Sequence, residues 1–519
     1  MSFPRSDLST LFRARAAESP DAVAMLGPSS FTYAELDRAS DAVARSLQDA
    51  GFAPGERMAL YAVNSPRFAI AYLGVVKCGM TVVPINVLLA EDEIGFILQD
   101  SGAVGLLYSE ALAARAAAVA RRVGGLRAFR QVESADDPGI ETLDAWLSHG
   151  GAALAPPAVD PDTAVAVIIY TSGTTGRPKG AMLSHRNLAA NTWSTAQALQ
   201  IKPGADRFLV VLPLFHSFAA TVGMLTTLLY GAAFIPLAKF DPALVADAIA
   251  DYGATVFLGV PSMYGVLLRL PASETSKLQS LRACVSGGAA MPVEMLRRFE
   301  QRFGVAVYEG DGPTECSPVT CLNPLDGVRK PGTVGLPVPL VEMTIRDARG
   351  EALPRGEVGE ICVRGPNVML GYLGLPAATK AAFFGEWLRT GDLGTCDADG
   401  YFSIVDRLKD VIIVNGMNVY PRMIEEVLYQ LEGVNEAAVI GAPHATHGEV
   451  PVAYVAVAEA SGIDEAALRA HCQSRLGPHQ LPRRFELLGE LPKNAAGKIM
   501  KRELWRQGEL ERGVDASRF

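Results

Sequence analysis

The sequence predicts an α/β protein in which a large N-terminal domain is built on largely parallel sheets and a smaller α+β domain follows. Its 519 residues are too many for one ordinary hydrophobic core. Between residues 31 and 109, strand-like apolar runs alternate with helical patterns, which is typical of a parallel sheet covered by helices on both faces. From residue 332 the pattern changes to short strands and turns, which indicates a small β-rich subdomain.

Local signals place the elements of the first half. Thr32 and Glu35 form a capping box in front of apolar residues at helical spacing. Ser65 precedes Pro66 at the start of another helix. The other apolar patterns predict, in chain order, strand 57–63, strand 81–85, helix 91–99, strand 104–108, a helix and connector at 110–160, and strand 164–169. We interpret residues 31–109 as scaffold, since they carry no obvious catalytic group.

Composition excludes several classes of protein. Hydrophobic residues make up 49% and charged residues 20% of the chain, as in soluble globular proteins. A net charge of −9 argues against general binding to nucleic acid, although a local basic site can still bind an anionic substrate. The seven cysteines are odd in number and lack CxxC spacing, which favours free thiols in a reducing cytoplasm over disulfides or a zinc site.

The apolar stretch 208–237 is the segment that most resembles a membrane span. Pro213, His216, Gly223 and Gly231 interrupt it, so we predict a strand, a loop, a helix and a strand inside a large core. The N-terminus is not followed by the apolar core of a signal peptide. We therefore expect a cytoplasmic protein without a transmembrane segment, and the sequence leaves open whether it forms a homodimer.

A glycine-rich loop at 170–180 carries the first functional signal. It has the sequence Tyr-Thr-Ser-Gly-Thr-Thr-Gly-Arg-Pro-Lys-Gly and follows the predicted strand directly. Such a loop cannot pack a core, but its backbone N–H groups, hydroxyls and two cations suit a phosphate chain. The Gly-x4-Gly-Lys-Ser/Thr spacing of a P-loop does not occur in it. The alternative interpretation is a plain surface turn.

This loop resembles the phosphate-binding signature of the adenylate-forming enzymes, the superfamily of acyl-CoA synthetases, peptide-synthetase adenylation domains and beetle luciferases. Further motifs follow in that family's order as far as Lys498. The resemblance implies that the loop holds the phosphates of ATP through Thr171, Ser172, Gly173, Thr174, Thr175, Gly176 and Lys179.

His216 lies between a predicted strand and an apolar helix. By itself it would be interpreted as a hydrogen-bonded core residue, but the resemblance implies that it contacts the carboxylate of the bound acid. Amino-acid adenylation domains place an aspartate after the phenylalanine of this motif, whereas here Phe215 is followed by His216 and Ser217. An α-amino acid is disfavoured, because a buried, unpaired ammonium group is costly. Small residues that follow, such as Gly223, either pack the core or leave room for an apolar acyl chain.

Two further motifs belong to the nucleotide site in the family. After the predicted strand 280–286, a glycine turn lets a ligand approach the backbone closely. The resemblance assigns the turn residues Gly288 and Ala289 to the nucleotide and the acyl group. It also implies that Thr314 contacts the α-phosphate and that Glu315 holds Mg²⁺, a hard cation that prefers oxygen ligands, together with the hydroxyl of Thr171.

Asp311 departs from the family pattern, which has a tyrosine at this position. Tyr308 is three residues away and cannot simply replace that ring. Our hypothesis is that the base is held by the backbone at Gly310 and Gly312, with Asp311 hydrogen-bonding the nucleotide. Turnover with GTP as fast as with ATP would contradict adenine recognition by this loop.

The last third of the chain supplies the remaining motif residues. Asp392 resembles the aspartate that accepts hydrogen bonds from both ribose hydroxyls, although by itself it would be interpreted as a turn residue. The resemblance places Arg407 at the ribose or phosphate side, Lys409 at a hinge and Gly416 beside the pantetheine arm of coenzyme A. Lys498, in the pattern Pro-Lys-x3-Gly-Lys, matches the family's catalytic lysine, whereas composition alone would make it a solvated surface group.

These landmarks define the expected domains. Residues 1–406 form the AMP-binding domain, with a small barrel-like β-rich subdomain at about 332–400. Residues 407–519 form a mobile lid that carries the lysine. The resemblance implies that this lid swings about the hinge between two catalytic states.

The resemblance covers residues 10–505 and implies an AMP-forming acid–thiol ligase. A carboxylic acid, most simply a medium- or long-chain fatty acid, would react with ATP and Mg²⁺ to form acyl-AMP and then with coenzyme A. The expected catalytic residues are Lys498, His216 and Thr314. The alternatives are an acyl-AMP ligase that loads a separate carrier protein, an aryl acid–CoA ligase and an ATP-binding pseudoenzyme. The chain ends about twenty residues past Lys498, and we expect no fused carrier domain.

Overall fold

The computed structural model describes residues 3–148, 154, 157–171, 177–444, 446–458, 461–494 and 497–510. Residues 172–176 of the predicted phosphate loop, Ser172, Gly173, Thr174, Thr175 and Gly176, therefore lie outside the described residues. The regular elements are numbered below in chain order.

The first 200 residues alternate strands and helices, as the sequence predicts. The strands are β1 Val23–Met25, β2 Phe31–Thr32, β3 Arg57–Tyr61, β4 Thr81–Pro84, β5 Ala103–Tyr108, β6 Ala128–Gln131, β7 Val165–Thr171 and β8 Lys179–Ser184. The helices are α1 Leu8–Glu18, α2 Tyr33–Asp49, α3 Pro66–Lys77, α4 Glu91–Ser101, α5 Ala113–Val123, α6 Asp144–Leu147 and α7 His185–Ala198.

The predicted helix starts are confirmed by their hydrogen bonds. Thr32 accepts from Glu35 N while the Glu35 carboxylate accepts from Thr32 N, which completes the capping box of α2. Ser65 accepts from Phe68 N at the start of α3. The segment 110–160 contains more than the predicted helix and connector, since β6 adds a strand next to β5 and α6 follows it.

The stretch 207–337 continues the alternation. Its strands are β9 Arg207–Val210, β10 Ala233–Pro236, β11 Val256–Gly259, β12 Ala283–Ser286, β13 Val307–Asp311, β14 Cys321–Leu322 and β15 Leu336–Pro337. Its helical parts are a π-helical segment Phe218–Leu225, α8 Thr226–Leu229, α9 Pro242–Tyr252, α10 Pro261–Leu267 and α11 Val293–Phe303. The apolar run at 208–237 thus forms a strand, a loop, a helical part and a strand. Within the described ranges, no helix combines the length and the apolar character needed to cross a membrane.

The segment from 342 to 407 is rich in short strands, as predicted. They are β16 Glu342–Arg346, β17 Gly359–Arg364, β18 Gly371–Tyr372, β19 Phe383–Phe384, β20 Trp387–Cys396 and β21 Phe402–Arg407, with helix α12 Pro376–Ala381 among them. An antiparallel sheet joins β16, β17, β20, β19 and β21. β18 pairs instead with β8, so Tyr372 lies beside the strand that starts at Lys179.

The remaining residues form an α+β unit, as predicted. Its strands are β22 Ile412–Val414, β23 Met417–Val419, β24 Val434–His444, β25 Gly448–Val457 and β26 Arg484–Leu488, and its helices are α13 Pro421–Tyr429, α14 Glu465–Gln473 and α15 Lys501–Leu510. The sheet order is β23-β22-β25-β24, with β26 parallel to β25. Apolar side chains such as Ile424, Val455 and Leu468 form a buried cluster that lies wholly within this unit.

Two sheets build the large N-terminal part. One has the strand order β15-β14-β13-β12-β11-β9-β10-β1-β2 and is parallel from β13 to β1. The other has the order β18-β8-β7-β4-β3-β5-β6 and is parallel from β7 to β6. Because parallel strands end at the same edge of a sheet, the residues that follow Gly259, Ser286 and Asp311 meet along one edge.

A buried lysine ties α3 to α2. The Lys77 side chain is fully buried, and its Nζ lies 2.5 Å from Asp37 Oδ1 and 2.7 Å from Asp41 Oδ1. Arg13 Nη2 approaches the same Asp41 carboxylate at 2.6 Å. Burial is the largest influence on the pKa of Lys77 and lowers it, while the two aspartates work in the opposite direction. The network is thus a paired charge cluster inside the scaffold.

We expect Lys77→Ala to destabilise the fold by about 3–5 kcal/mol, because it leaves the partly buried Asp37 carboxylate without its cation and Asp41 with Arg13 alone. Lys277 is a matched control, since its Nζ also bridges two carboxylates, Asp247 and Glu274, but at the surface. Lys277→Ala should leave stability nearly unchanged. Thermal and denaturant unfolding of both variants checks this, and equal destabilisation would contradict the role of burial.

Candidate active site

Asp392 and Arg407 face each other on neighbouring antiparallel strands. β20 and β21 bring them into register, and Arg407 Nε lies 2.6 Å from Asp392 Oδ1. Asp392 is only 4% exposed. This burial raises the pKa of its carboxyl to about 7, although Arg407 works in the opposite direction. The two residues predicted to meet the ribose therefore form an ion pair on the small antiparallel sheet.

Lys498 reaches this charged cluster from the last part of the chain. Surrounding protein lowers the pKa of its ammonium group, although the side chain still contacts solvent. Arg407 lowers this pKa further, whereas Asp392 and Asp311 raise it. Asn494 holds the backbone here, since its N–H donates to Lys498 O and its Oδ1 accepts from Lys498 N, both at 2.9 Å. The C-terminal unit thereby adds a cation to carboxylates of the N-terminal part.

His216 is a neutral imidazole next to this cation. Burial lowers its pKa to about 4, and the charge of Lys498 acts in the same direction. Its Nδ1 accepts a hydrogen bond from Phe218 N at 3.3 Å. The ring proton therefore belongs on Nε2, which makes His216 a hydrogen-bond donor through that nitrogen.

Ser217 connects the histidine segment to the predicted α-phosphate residue. Its Oγ lies 3.2 Å from Thr314 Oγ1, and Ser217 is almost completely buried. Thr314 opens a short 3₁₀ turn, Thr314–Cys316, directly after β13. The structure thus brings the candidate catalytic residues His216 and Thr314 to adjacent positions, although they are far apart in the sequence.

Glu315 lies beside the two ends of the phosphate loop. Tyr372 OH donates to Glu315 Oε1 at 2.8 Å, and Lys179 Nζ lies 5.2 Å from the centre of the Tyr372 ring. Thr171 and Lys179 are register partners at the end of the β7–β8 pair. The hydroxyl of Thr171 and the cation of Lys179 therefore lie at the end of this strand pair, and Tyr372 connects it to the Glu315 carboxylate.

The chemistry of these donors fits a magnesium ion accompanying nucleotide phosphates. Among the residues that the structure describes, no three His, Cys, Asp or Glu side chains gather as a metal cluster. Mg²⁺ bound with substrate phosphates needs only one or two protein carboxylates and keeps several water ligands. Glu315 supplies one carboxylate, which Tyr372 holds through Oε1.

The glycines around Asp311 have a packing role. A Cβ on Gly312 would lie 1.8 Å from Pro318 O, and one on Gly310 would lie 2.9 Å from Cys321 O. Both positions require glycine because β14 and the chain before it approach β13 closely. Burial raises the pKa of Asp311 between them, and Arg407 opposes this. Recognition of the base by these residues stays a prediction.

The predicted acyl and nucleotide turn follows β12. Gly288 has φ of +75°, a left-handed conformation that favours glycine, and a Cβ there would lie 3.6 Å from Val260 Cγ1. Ala289 is half-buried beside it. A Cβ on the preceding Gly287 would lie 3.3 Å from Phe218 Cε1. The Phe218 ring therefore covers the start of this turn, close to His216.

Gly223 serves core packing. A Cβ at this position would lie 2.8 Å from Val210 Cγ2 and 3.3 Å from Leu258 Cδ1. These neighbours occupy the space that the missing side chain leaves. Of the two interpretations of this helix, the structure supports core packing at Gly223.

Lys409 and Gly416 lie on exposed parts of the chain. Lys409 belongs to the short turn Leu408–Asp410, directly after Arg407. Gly416 has φ of +79° between β22 and β23, and a Cβ there would meet nothing within 4 Å. Both positions are therefore exposed to solvent. Their roles as hinge and coenzyme A contact stay predictions.

Glu309 is a buried carboxyl where the N-terminal part meets α13. It is 4% exposed, and its Oε2 accepts from Gly332 N at 2.9 Å. Burial raises its pKa to about 7, with Arg422 lowering and Glu426 raising it. Glu426 in turn accepts from Val293 N at 3.4 Å across the contact. Ionisation of the Glu309 carboxyl therefore destabilises the folded state.

Stability should fall as pH rises through the pKa of Glu309. A rise from the ordinary 4.5 to about 7 corresponds to on the order of 3 kcal/mol, present in full below pH 4.5 and lost above pH 7. We therefore expect Glu309→Gln to raise the melting temperature at pH 8 and to leave it unchanged near pH 4.5. Glu294→Gln, at a partly exposed pair with Arg298, is the control. A pH-independent effect of Glu309→Gln would contradict the argument.

Two residues of this site, Ser217 and Tyr372, carry no functional signal in the sequence. Tyr372 contacts Glu315 across 57 positions and Ser217 contacts Thr314 across 97 positions. The hydroxyl of each residue is visible in the sequence, but only the fold shows which distant partner it meets.

Comparison with known proteins agrees with this geometry. Residues 12–373 match the family described as AMP-binding enzyme, and residues 423–498 match its C-terminal domain. Long-chain-fatty-acid–CoA ligase of Bacillus subtilis is 35% identical, over 96% of this chain and 94% of that protein. Feruloyl-CoA synthase of an Amycolatopsis species is 38% identical, over 95% of this chain and 97% of that protein.

Solved structures give the same result. ATP-bound MatB from Rhodopseudomonas palustris is 33% identical with a TM-score of 0.88, covering 97% of this chain and 99% of that one. The anthranilate CoA ligase AuaEII in complex with anthranoyl-AMP is 26% identical with a TM-score of 0.91, covering 98% and 99%. The chain therefore belongs to the AMP-binding enzymes, the adenylate-forming acid–thiol ligases that its motifs resemble.

Proposed function

We propose that this protein is an acyl-CoA synthetase that activates an apolar carboxylic acid. The acid's carboxylate attacks the α-phosphorus of ATP, the bond to the β-phosphate oxygen breaks, and acyl-AMP and pyrophosphate form. The thiolate of coenzyme A then attacks the acyl carbon and displaces AMP. The observation that carries this proposal is the electrostatic interaction of Lys498 with His216, Asp392 and Arg407.

Each residue of the cluster has a proposed task. Lys498 stabilises the charge that develops between the carboxylate and the α-phosphate, and His216 donates from Nε2 to the acid. Thr314 contacts the α-phosphate, and Asp392 accepts hydrogen bonds from the ribose hydroxyls. Glu315 and the hydroxyl of Thr171 would hold Mg²⁺, which offsets phosphate charge when bound.

The nucleotide contacts extend around this centre. The phosphate loop holds the β- and γ-phosphates, and the turn at Gly288 and Ala289 meets the nucleotide and the acyl group. We propose that residues 407–519 move as a lid about Lys409, which would bring Gly416 to the pantetheine arm for the second half-reaction. Seven free thiols favour a reducing compartment such as the cytoplasm.

A medium- or long-chain fatty acid is the proposed substrate class. Phe215 and Phe218 flank His216, and no carboxylate follows Phe215 to pair an amino group. A relative over nearly the full chain is the Bacillus subtilis long-chain-fatty-acid–CoA ligase. The two phenylalanine rings and the neutral His216 donor suit an acid with one carboxylate and an apolar chain.

One observation favours an aryl acid as the second candidate. The Phe218 ring lies against the Gly287 turn, and an aromatic ring at this place can pack on a flat substrate ring. Feruloyl-CoA synthase, 38% identical, carries an aryl substrate in its name.

The test is coenzyme A-dependent AMP release with acids from acetate to palmitate, benzoate and cinnamate, with the thioester identified by mass spectrometry. A preference for medium or long chains supports the first candidate, and a preference for benzoate or cinnamate supports the second. Adenylate and pyrophosphate without a coenzyme A thioester would overturn the acceptor and favour a carrier-loading ligase. Absence of pyrophosphate release with every acid would overturn the proposed activity.

A further inference from the structure

The loop that carries Lys498 is attached to the N-terminal part by one hydroxyl. Ser262 Oγ donates to Gly497 O at 2.8 Å, across 235 positions of sequence. Ser262 lies in the first turn of α10, which follows β11 at the edge where the site residues meet. Gly497 O belongs to the peptide bond that precedes Lys498. The hydrogen bond therefore fixes the peptide plane next to the candidate catalytic lysine.

The approach of the two segments is close. Gly497 has φ of +80°, and a Cβ there would lie 2.9 Å from Ser262 Oγ and 3.0 Å from Val260 Cγ2. Val260 also lies next to the Gly288 turn. Glycine at position 497 thus serves both the left-handed conformation and the contact itself. The loop cannot dock here in the same way with any larger residue.

Asn494 holds both Gly497 and Lys498. It makes three hydrogen bonds of 2.9 Å each, with Lys498 O, Lys498 N and Gly497 N. The contact of Gly497 with Ser262 is therefore linked directly to the backbone of Lys498. A lysine has a flexible four-carbon stem, so the position of its ammonium depends on how firmly its backbone is held.

We propose that Ser262 is a positioning residue for the adenylation step, which holds the peptide before Lys498 and keeps the lysine in the cleft. This rests on the proposed role of Lys498. The hydrogen bond joins the two parts of the chain only while the loop is docked. Ser262 thus stabilises the adenylating arrangement and has no corresponding task once the lysine is withdrawn.

Separate rate measurements of the two half-reactions distinguish a positioning role of Ser262 from a general structural role. Ser262→Ala should lower the rate constant of acyl-adenylate formation roughly 3- to 10-fold, as expected for loss of one neutral hydrogen bond, with the KM for ATP little changed. Thioester formation from purified acyl-AMP and coenzyme A should keep its rate. Ser262→Thr, which retains the hydroxyl, should recover most of the adenylation rate.

Ser280→Ala is the matched control. Ser280 Oγ also donates to a backbone carbonyl, Ala254 O at 2.8 Å, inside the N-terminal part, and its loss should not distinguish the half-reactions. Gly497→Ala should lower adenylation as well. Because both substitutions break the same contact, the double variant Ser262→Ala/Gly497→Ala should lose less than the product of the two single effects.

The adenylation rate of Ser262→Ala is compared with that of Lys498→Ala. Loss of adenylation in Lys498→Ala with an unchanged rate in Ser262→Ala would overturn this inference and leave the proposed function standing. Equal losses of both half-reactions in Ser262→Ala, or no recovery in Ser262→Thr, would also overturn it. Full adenylation by Lys498→Ala would overturn the role of the lysine and, with it, that of Ser262.

Discussion

Replacing Lys498 by alanine is expected to lower the rate of acyl-adenylate formation by on the order of 10²- to 10³-fold, as for removal of a preorganised charge-stabilising donor. The reason is electrostatic. The charge of Lys498, from the C-terminal unit, acts on His216 and on the Asp392–Arg407 pair, where negative charge develops as the carboxylate attacks phosphorus. No other lysine of its motif is placed to substitute, because Lys493 is paired with Glu436 and Glu490.

The measurement is pyrophosphate release with ATP and a substrate acid, followed by thioester formation from purified acyl-AMP. Lys498→Ala should lose the first reaction and retain the second. Lys493→Ala is the control, since it removes a cation from the same Pro-Lys-x3-Gly-Lys segment but leaves the cleft intact. Similar losses in the two variants, or equal losses of both half-reactions in Lys498→Ala, would refute the assignment.

Most of the fold follows from local signals in the sequence. Caps such as Thr32 and Ser65 satisfy the first free N–H groups of a helix from residues three positions away, so a sequence pattern contains them completely. The sequence predicts the strand before the glycine-rich loop for the same reason, since a run of β-branched residues ends where glycines begin. It does not predict β8, which follows that loop. Short strands such as β6 and β18 were not predicted, because two to four residues carry too little pattern.

The candidate site was predicted through motifs and not through contacts. Asp392 and Arg407 were each assigned to the ribose side, but their ion pair depends on the register of β20 and β21. Gly310 and Gly312 were interpreted as backbone for the base, whereas the fold explains them by the close approach of Cys321 and Pro318. A requirement for glycine looks the same in a sequence whether a ligand or another strand fills the space.

Glu315→Gln is expected to lower adenylation by roughly 10²-fold at fixed magnesium, because an uncharged amide is a weaker ligand than a carboxylate for this hard cation. The substitution preserves the shape of the side chain and an oxygen that can still accept from Tyr372 OH. The expected signature is an increase in the magnesium concentration needed for half-maximal rate. Binding of MgATP measured by calorimetry should weaken in parallel.

Tyr372→Phe distinguishes the effect of the Glu315 charge from the effect of the hydrogen bond that this carboxylate accepts. This variant keeps the ring beside Lys179 and the charge of Glu315, and it removes only the 2.8 Å bond to Oε1. One lost neutral-to-charged hydrogen bond corresponds to about 1.5–3 kcal/mol at most. Because the carboxylate ligand is retained, the magnesium dependence should stay in place. If Glu315→Gln showed the same magnesium dependence as the unchanged protein, the carboxylate would serve the structure through its hydrogen bond from Tyr372 OH, and the metal would be held elsewhere.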